Sequence, residues 1–187
     1  MSTLFVNNLN TASGSTITVP TGKKLVGTDT GSIKSPGQII QIQRTTQTTG
    51  NSSTTSTSFV STALSVDITP KFANSLIKIE CQTVWWLHLS PSSEEYLLTT
   101  VYRTISGGSA TNIGGGSNGR VIQFRSGYVD SGNAYNYNNG FHLFTFDTPN
   151  TTSSVNYKLY LASGSGNEVR YIDQTTENSI VAMEIAQ

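Results

Sequence analysis

A chain of 187 residues with eleven basic and eleven acidic side chains has no net charge, and charged residues make up only 12% of it. A neutral, charge-poor surface has no basic field to grip a phosphate backbone or an anionic bilayer, so nucleic acid is not an expected partner. No stretch approaches the ~20 apolar residues of a membrane helix. The start, Met1 to Asn8, lacks the basic n-region and apolar run of a signal peptide. A soluble product made in a cytoplasm, with no membrane insertion, is expected.

Strand patterns dominate in chain order, and no helix is convincing. Leu4-Phe5-Val6 and Ser15 to Val19 are short β-type runs, the second closed by Pro20-Thr21-Gly22, and Lys24 to Gly27 follows before the turn-rich Thr28 to Gly31. Runs this short, split by Gly and Pro, cannot build a core alone. Residues 1–36 therefore read as an extended N-terminal β leader that needs a partner, with Leu4, Phe5, Val6, Ile17, Val19 and Leu25 as its candidate anchoring side chains. Pro36-Gly37 ends it, and residues 37–187 read as one domain.

Gln38 to Gln43 is a strand with an apolar side, and the Thr/Ser tract from Thr45 to Ser58 is either a solvated loop or an exposed edge strand. Strands are expected at Ala63–Ile68, Ser75–Trp86, Tyr96–Ile105, Val121–Arg125, Phe141–Asp147, Val155–Leu161, Val169–Ile172 and Ser179–Ile185. Ser106–Gly119 reads as a hairpin or loop, and Tyr128–Gly140 as a loop. About eight strands at ~10–20-residue spacing imply an all-β, antiparallel β-sandwich of the jelly-roll type. The terminal strand ends almost at the last residue, so truncation there is expected to be costly.

Several strands carry bulky apolar residues on both alternation phases, as with Phe141 and Leu143 against Phe144 and Phe146. A sandwich buries one face of each sheet. The other face needs a cover, and a neighbouring copy is an economical one. An apolar share of 35% also makes a thin core for a solitary domain, which burial between copies can supplement.

The run Gly14 to Gly22, then Gly27-Thr28-Asp29-Thr30-Gly31-Ser32-Ile33 and Pro36-Gly37-Gln38-Ile39-Ile40-Gln41, resembles the opening of tail-fibre-like proteins of phages of marine and cyanobacterial hosts. Ser56 to Thr62 with Ile68-Thr69-Pro70-Lys71, and the closing Ser179 to Ala186, look like the same family. Trp85 to Asn178 carries no such landmark, and members labelled tail fibres are often longer than this chain. The resemblance implies a bacteriophage virion structural protein, a homotrimer with a C1q- or tumour-necrosis-factor-like jelly roll. It also implies attachment to other virion proteins through the leader. A capsid decoration or cement protein is the alternative within the virion, and a lectin-like carbohydrate-binding module is the alternative outside it.

Little in the chain points to chemistry, and neither catalysis nor a cofactor is expected. Gly114 to Gly119 satisfies G-x-G-x-x-G, but the β run after it denies the helix N-terminus that a dinucleotide site needs. His88 and His142 stand far apart with no second histidine at ligand spacing, so no metal site is expected. Glu94-Glu95 reads as a pair of solvated turn charges. Asp130, Asp147 and Asp173 lie near loops, where spacing cannot pair them as glycosidase acids. Serines are many, but no G-x-S-x-G elbow appears. Cys81, alone and inside an apolar run, reads as a buried small side chain. The best candidate for contact with a host-surface glycan is the Tyr128–Gly140 stretch, through Tyr128, Tyr135, Asn136, Tyr137 and Asn138. The plainer alternative is tyrosines lying back over the sandwich.

Overall fold

The period-two pattern is realised as β1 (Ile39–Gln47), β2 (Ser52–Thr54), β3 (Val60–Ile68), β4 (Leu76–Leu89), β5 (Tyr96–Ile105), β6 (Thr111–Asn112), β7 (Ile122–Arg125), β8 (Tyr135–Asp147), β9 (Val155–Ser163), β10 (Val169–Tyr171) and β11 (Asn178–Ile185). The computed structural model describes residues 19–48, 52–89, 94–116, 118–125, 135–171 and 177–187, and no helix occurs among them.

Two antiparallel sheets result. In the first, β4 is the axis: β8 pairs along one edge, while β11 and then β10 pair along the other, against Leu76–Gln82 and Trp85–Leu87. β1 and β2 lie outside β11 and β10 in the same way. The six strands of this β4 sheet therefore occupy four lines, in the order β1/β2, β10/β11, β4, β8. The second, the β5 sheet, runs β3, β9, β5 and then β6/β7, with β6 and β7 sharing one edge of β5. Apart from the step from β5 to β6/β7, the chain changes sheet at each successive line. Two four-line sheets with this order are the jelly roll.

The core sits between the sheets. Ile77, Ile79, Cys81, Trp85 and Leu87 of β4 face Leu97 and Val101 of β5 and Leu159 and Leu161 of β9 in one cluster of buried side chains. Where β3 and β9 slip register between Ser61 and Ser65, Thr62 turns inward and its hydroxyl donates to the Leu159 carbonyl (2.7 Å). The polar side chain thereby satisfies a carbonyl at the irregularity.

A polar staple joins the sheets. Arg103 of β5 donates to both carboxylate oxygens of Asp147 in β8 (2.8 and 3.1 Å), and the Tyr157 hydroxyl of β9 donates to the same carboxylate (2.8 Å). Burial, and then the Asp147 charge, push the Tyr157 phenol far up. A second clamp closes the C-terminal strand. Glu184 is fully buried, in phase with Ile180 and Ala182. It accepts hydrogen bonds from the Ser75 hydroxyl (2.6 Å), the Gln41 amide (2.7 Å) and the Lys71 and Phe72 N–H groups (2.8 and 3.1 Å). One carboxylate thus ties β11 to β1 and to the loop before β4.

Several expectations need correction. Lys24–Gly27 forms no strand, and residues 19–38 hold turns and bends only, because among the described residues no second segment lies alongside to complete a ladder. β8 starts at Tyr135, inside the expected loop, because the long β4 offers pairing partners as far as Leu89. Glu95 is buried, not solvated, with its carboxylate bonded to Ser165 and Asn167. The Thr-rich tract resolves into the end of β1 and the edge strand β2. Of the anchoring candidates, Leu4, Phe5, Val6 and Ile17 lie outside the described residues, as does Tyr128.

Candidate functional site

Alternation decides what each sheet shows to the outside, and the two outer faces differ in chemistry. On the β4 sheet the outward rungs read Ile42, Met183, Lys78, Phe146 and then Arg44, Val181, Glu80, Phe144 across the four lines. Ile39 and Ile185 continue the apolar surface at the next rung. Phe144 and Phe146 stand 56% and 47% exposed and meet edge-on, with ring centroids 6.1 Å apart. The only charges in the middle of this face cancel, since Lys78 pairs with Glu80 at 2.5 Å and lies over the Phe144 ring. Buried against a partner, the pair would bring no net charge with it.

Further along the same face the character changes. Gly140, opposite Val84, leaves an open hollow of about 380 Å³ bordered by Gln82, His142 and Glu177. Beyond it, Arg170 lies over the Trp86 ring at 4.4 Å and His88 stacks on Trp86 at 5.8 Å. His88 and His142 share the face, but three rungs of β4 separate their positions. Among the described residues no group of three or more His, Cys, Asp or Glu side chains gathers to hold a metal.

The outer face of the β5 sheet is polar throughout its centre. Its rungs read Asp67, Asn156, Thr104; then Ser65, Lys158, Tyr102; then Ser61 and Tyr160, with Thr100 beside them buried and bonded to Asn112. Tyr102 and Tyr160 stack at 4.0 Å, with Phe59 edge-on to Tyr102. The Asn156 amide donates to Asp67 (2.9 Å), and beside this pair an open hollow of about 350 Å³ runs to Ser106 and Ser154. Hydroxyls, an amide, a carboxylate and an ammonium around an aromatic stack are the groups that hydrogen-bond and stack on sugars.

The glycan-contact candidates are split by the strand they belong to. Tyr137 lies at the mouth of the sandwich, its ring 5.3 Å from Trp85, which itself stacks on Phe124 at 4.9 Å. Asn138, the next residue, pairs with Trp86 on the outer face of the β4 sheet. Tyr135 and Asn136 begin β8, paired with Leu89 and His88. The two anchoring candidates that are described, Val19 and Leu25, are exposed. The sequence reading missed the Tyr102–Tyr160 face. Its signal was present in the outward phase of β5 and β9, where tyrosine, lysine and asparagine alternate with buried Leu and Val.

The described acids among those that spacing left unpaired have partners. The Tyr96 hydroxyl donates to Glu94 (2.5 Å) and, with Arg125, holds its carboxyl below the ordinary value. Asp147 is committed to the staple, and Asp130 and Asp173 lie outside the described residues. Gly114–Gly119 is a turn closed on itself, with the Asn112 amide donating to the Gly119 carbonyl (2.9 Å) and Gly119 N–H to the Gly116 carbonyl (2.8 Å). Cys81 is buried, and burial pushes its thiol far up.

No family model and no curated protein matches the chain. Among solved structures it is similar to infectious bursal disease virus particles. A Gt-strain chain is 11% identical over 88% of this chain and 42% of its own length, with a TM-score of 0.37. The VP2 subviral particle is 13% identical over 88% and 42%, with a TM-score of 0.38. The chain thus spans about 42% of the length of those chains. So loose a likeness carries neither fold nor function here, and the jelly-roll assignment rests on the strand order.

Proposed function

We propose that this chain is a bacteriophage virion structural protein, a trimeric subunit of a tail fibre or similar surface appendage. In this reading the apolar outer face of the β4 sheet is covered by sister subunits, and the leader joins the domain to other virion proteins. The polar outer face of the β5 sheet is then turned to the host-cell surface and its glycans. The observation that carries the reading is the contrast between the two outer faces of one jelly roll. One face holds Phe144, Phe146, Ile42 and a self-neutralised ion pair, and the other holds Tyr102, Tyr160, Lys158 and Asn156. Exposed apolar surface of this kind marks an association site. The leader and closing-strand resemblance supports the phage assignment.

Light scattering coupled to size exclusion tests the assembly: a trimer is expected, and a monomer at micromolar concentration removes the proposal. Immunogold labelling of virions distinguishes an appendage from the alternative, a capsid decoration protein. The Tyr102–Tyr160 face favours a lectin-like role as the second reading. A glycan array comparing wild type with Tyr160→Ala and Tyr137→Ala separates that face from the mouth of the sandwich as the contact.

A further inference from the structure

Of the nine large hydrophobic side chains exposed among the described residues, four lie in the leader and four on the outer face of the β4 sheet. Two orphaned apolar surfaces in one chain invite the question of whether they cover each other. Leu25 and Val26 are the most exposed of all, at 68% and 72%.

The base of the leader is fixed elsewhere. Gly37 N–H donates to the Ala186 carbonyl (2.8 Å), Lys34 lies 4.5 Å over the Phe72 ring, and Gly31 approaches Phe72 and Ile40 closely. These contacts seat residues 31–37 against the loop before β4. The apolar residues upstream stay uncovered by their own domain.

We infer that the leader of one subunit packs across the apolar outer face of the β4 sheet of a neighbouring copy, Leu25 and Val26 covering Phe144, Phe146 and Ile42. The inference rests on the self-association proposed above and adds to it the segment that seals the contact. Size favours the exchange. Four strand lines ~4.8 Å apart by four outward rungs ~6.8 Å apart give a face of roughly 500 Å². A stable interface needs about 800 Å² per partner. Sheet face against sheet face therefore falls short, and a strap of chain laid over it adds what is missing. Reach is sufficient, since the twelve residues from Val19 to Thr30, upstream of the seated Gly31, span up to ~40 Å extended, against a sheet roughly 20 Å wide. Charge offers no obstacle, because the charges on the face pair off, Lys78 with Glu80 and Arg44 with Glu177.

The test uses two variants of the full chain with one added cysteine each, Leu25→Cys and Phe144→Cys, one carrying a tag that changes its mass. Cys81 is buried and does not interfere. Co-assembled and treated with a short bismaleimide, they are expected to give the mixed cross-linked dimer as the main product. A companion variant, Leu25→Ser with Val26→Ser, is expected to weaken self-association by about a hundredfold or more, the effect of losing two buried aliphatic side chains. Its urea midpoint, measured under monomeric conditions, should match wild type. An oligomer that forms normally with no mixed product overturns the strap while leaving the assembly standing. A wild-type chain that never associates overturns both.

Discussion

Leu143 and Phe144 are consecutive in β8 and occupy opposite environments: Leu143 is 1% exposed in the core and Phe144 56% exposed on the outer face. One backbone step reverses the side of the sheet. Leu143→Ala is therefore expected to cost about 3 kcal/mol of domain stability through the cavity it leaves. Phe144→Ser should change domain stability by less than ~0.5 kcal/mol and weaken self-association instead. Urea unfolding and sedimentation on the same two variants check the contrast, and equal losses of stability would refute it.

Glu184 links folding to pH. Burial alone would raise its carboxyl, but the Ser75 hydroxyl, the Lys71 N–H, the Gln41 amide and the Phe72 N–H together outweigh burial and hold it below the ordinary 4.5. A carboxyl lowered in the folded state contributes stability that is present above its unfolded value and lost as pH falls through the folded one. Wild type should thus lose stability below about pH 4.5 in part through this group. Glu184→Gln cannot accept from Lys71 N–H through both oxygens, and is expected to cost on the order of 2–4 kcal/mol at pH 7. The difference between the two proteins should shrink at pH 3; urea midpoints across pH 3–7 measure it.

The staple couples three strands. Tyr157→Phe removes the hydrogen bond to the Asp147 carboxylate and should cost roughly 1.5–3 kcal/mol. Arg103→Met should cost more, since it strands a largely buried carboxylate. In a double-mutant cycle the two losses should be non-additive because they share Asp147. Strict additivity would show that the two contacts act independently.

Gly114 is needed for space. A Cβ there would lie 2.4 Å from the Gly119 carbonyl oxygen and 2.5 Å from the Thr100 hydroxyl. Gly114→Ala must push backbone aside, at about 1–3 kcal/mol. Gly115, with nothing within 4 Å of its added Cβ, should accept alanine without that loss. Thermal unfolding of the pair distinguishes a packing requirement from general loop flexibility.

Much of the sandwich was legible because buried apolar rows alternate visibly with polar ones. Tyr96–Ile105 was read to both ends, and the inward row of Ile77, Ile79 and Cys81 announced β4. The start of β8 was not legible, because Asn136, Asn138, Asn139 and Gly140 have low strand propensity and are held by pairing with β4. Glu184 was visible as an acid in the phase of Ile180 and Ala182, but its partners come from Gln41, Lys71 and Ser75, more than 100 residues away in the chain.

Residue order alone set the all-β class, most strand positions and the presence of bulky apolar groups on both phases, since each follows from a period of two along a local segment. Which strands pair, and hence which outward rows lie side by side, is a long-range matter that no local window contains. Folding gathered Phe144, Val181 and Ile42 onto one face and Tyr102, Tyr160 and Lys158 onto the other, so the contrast between an apolar side and a polar side belongs to the tertiary structure.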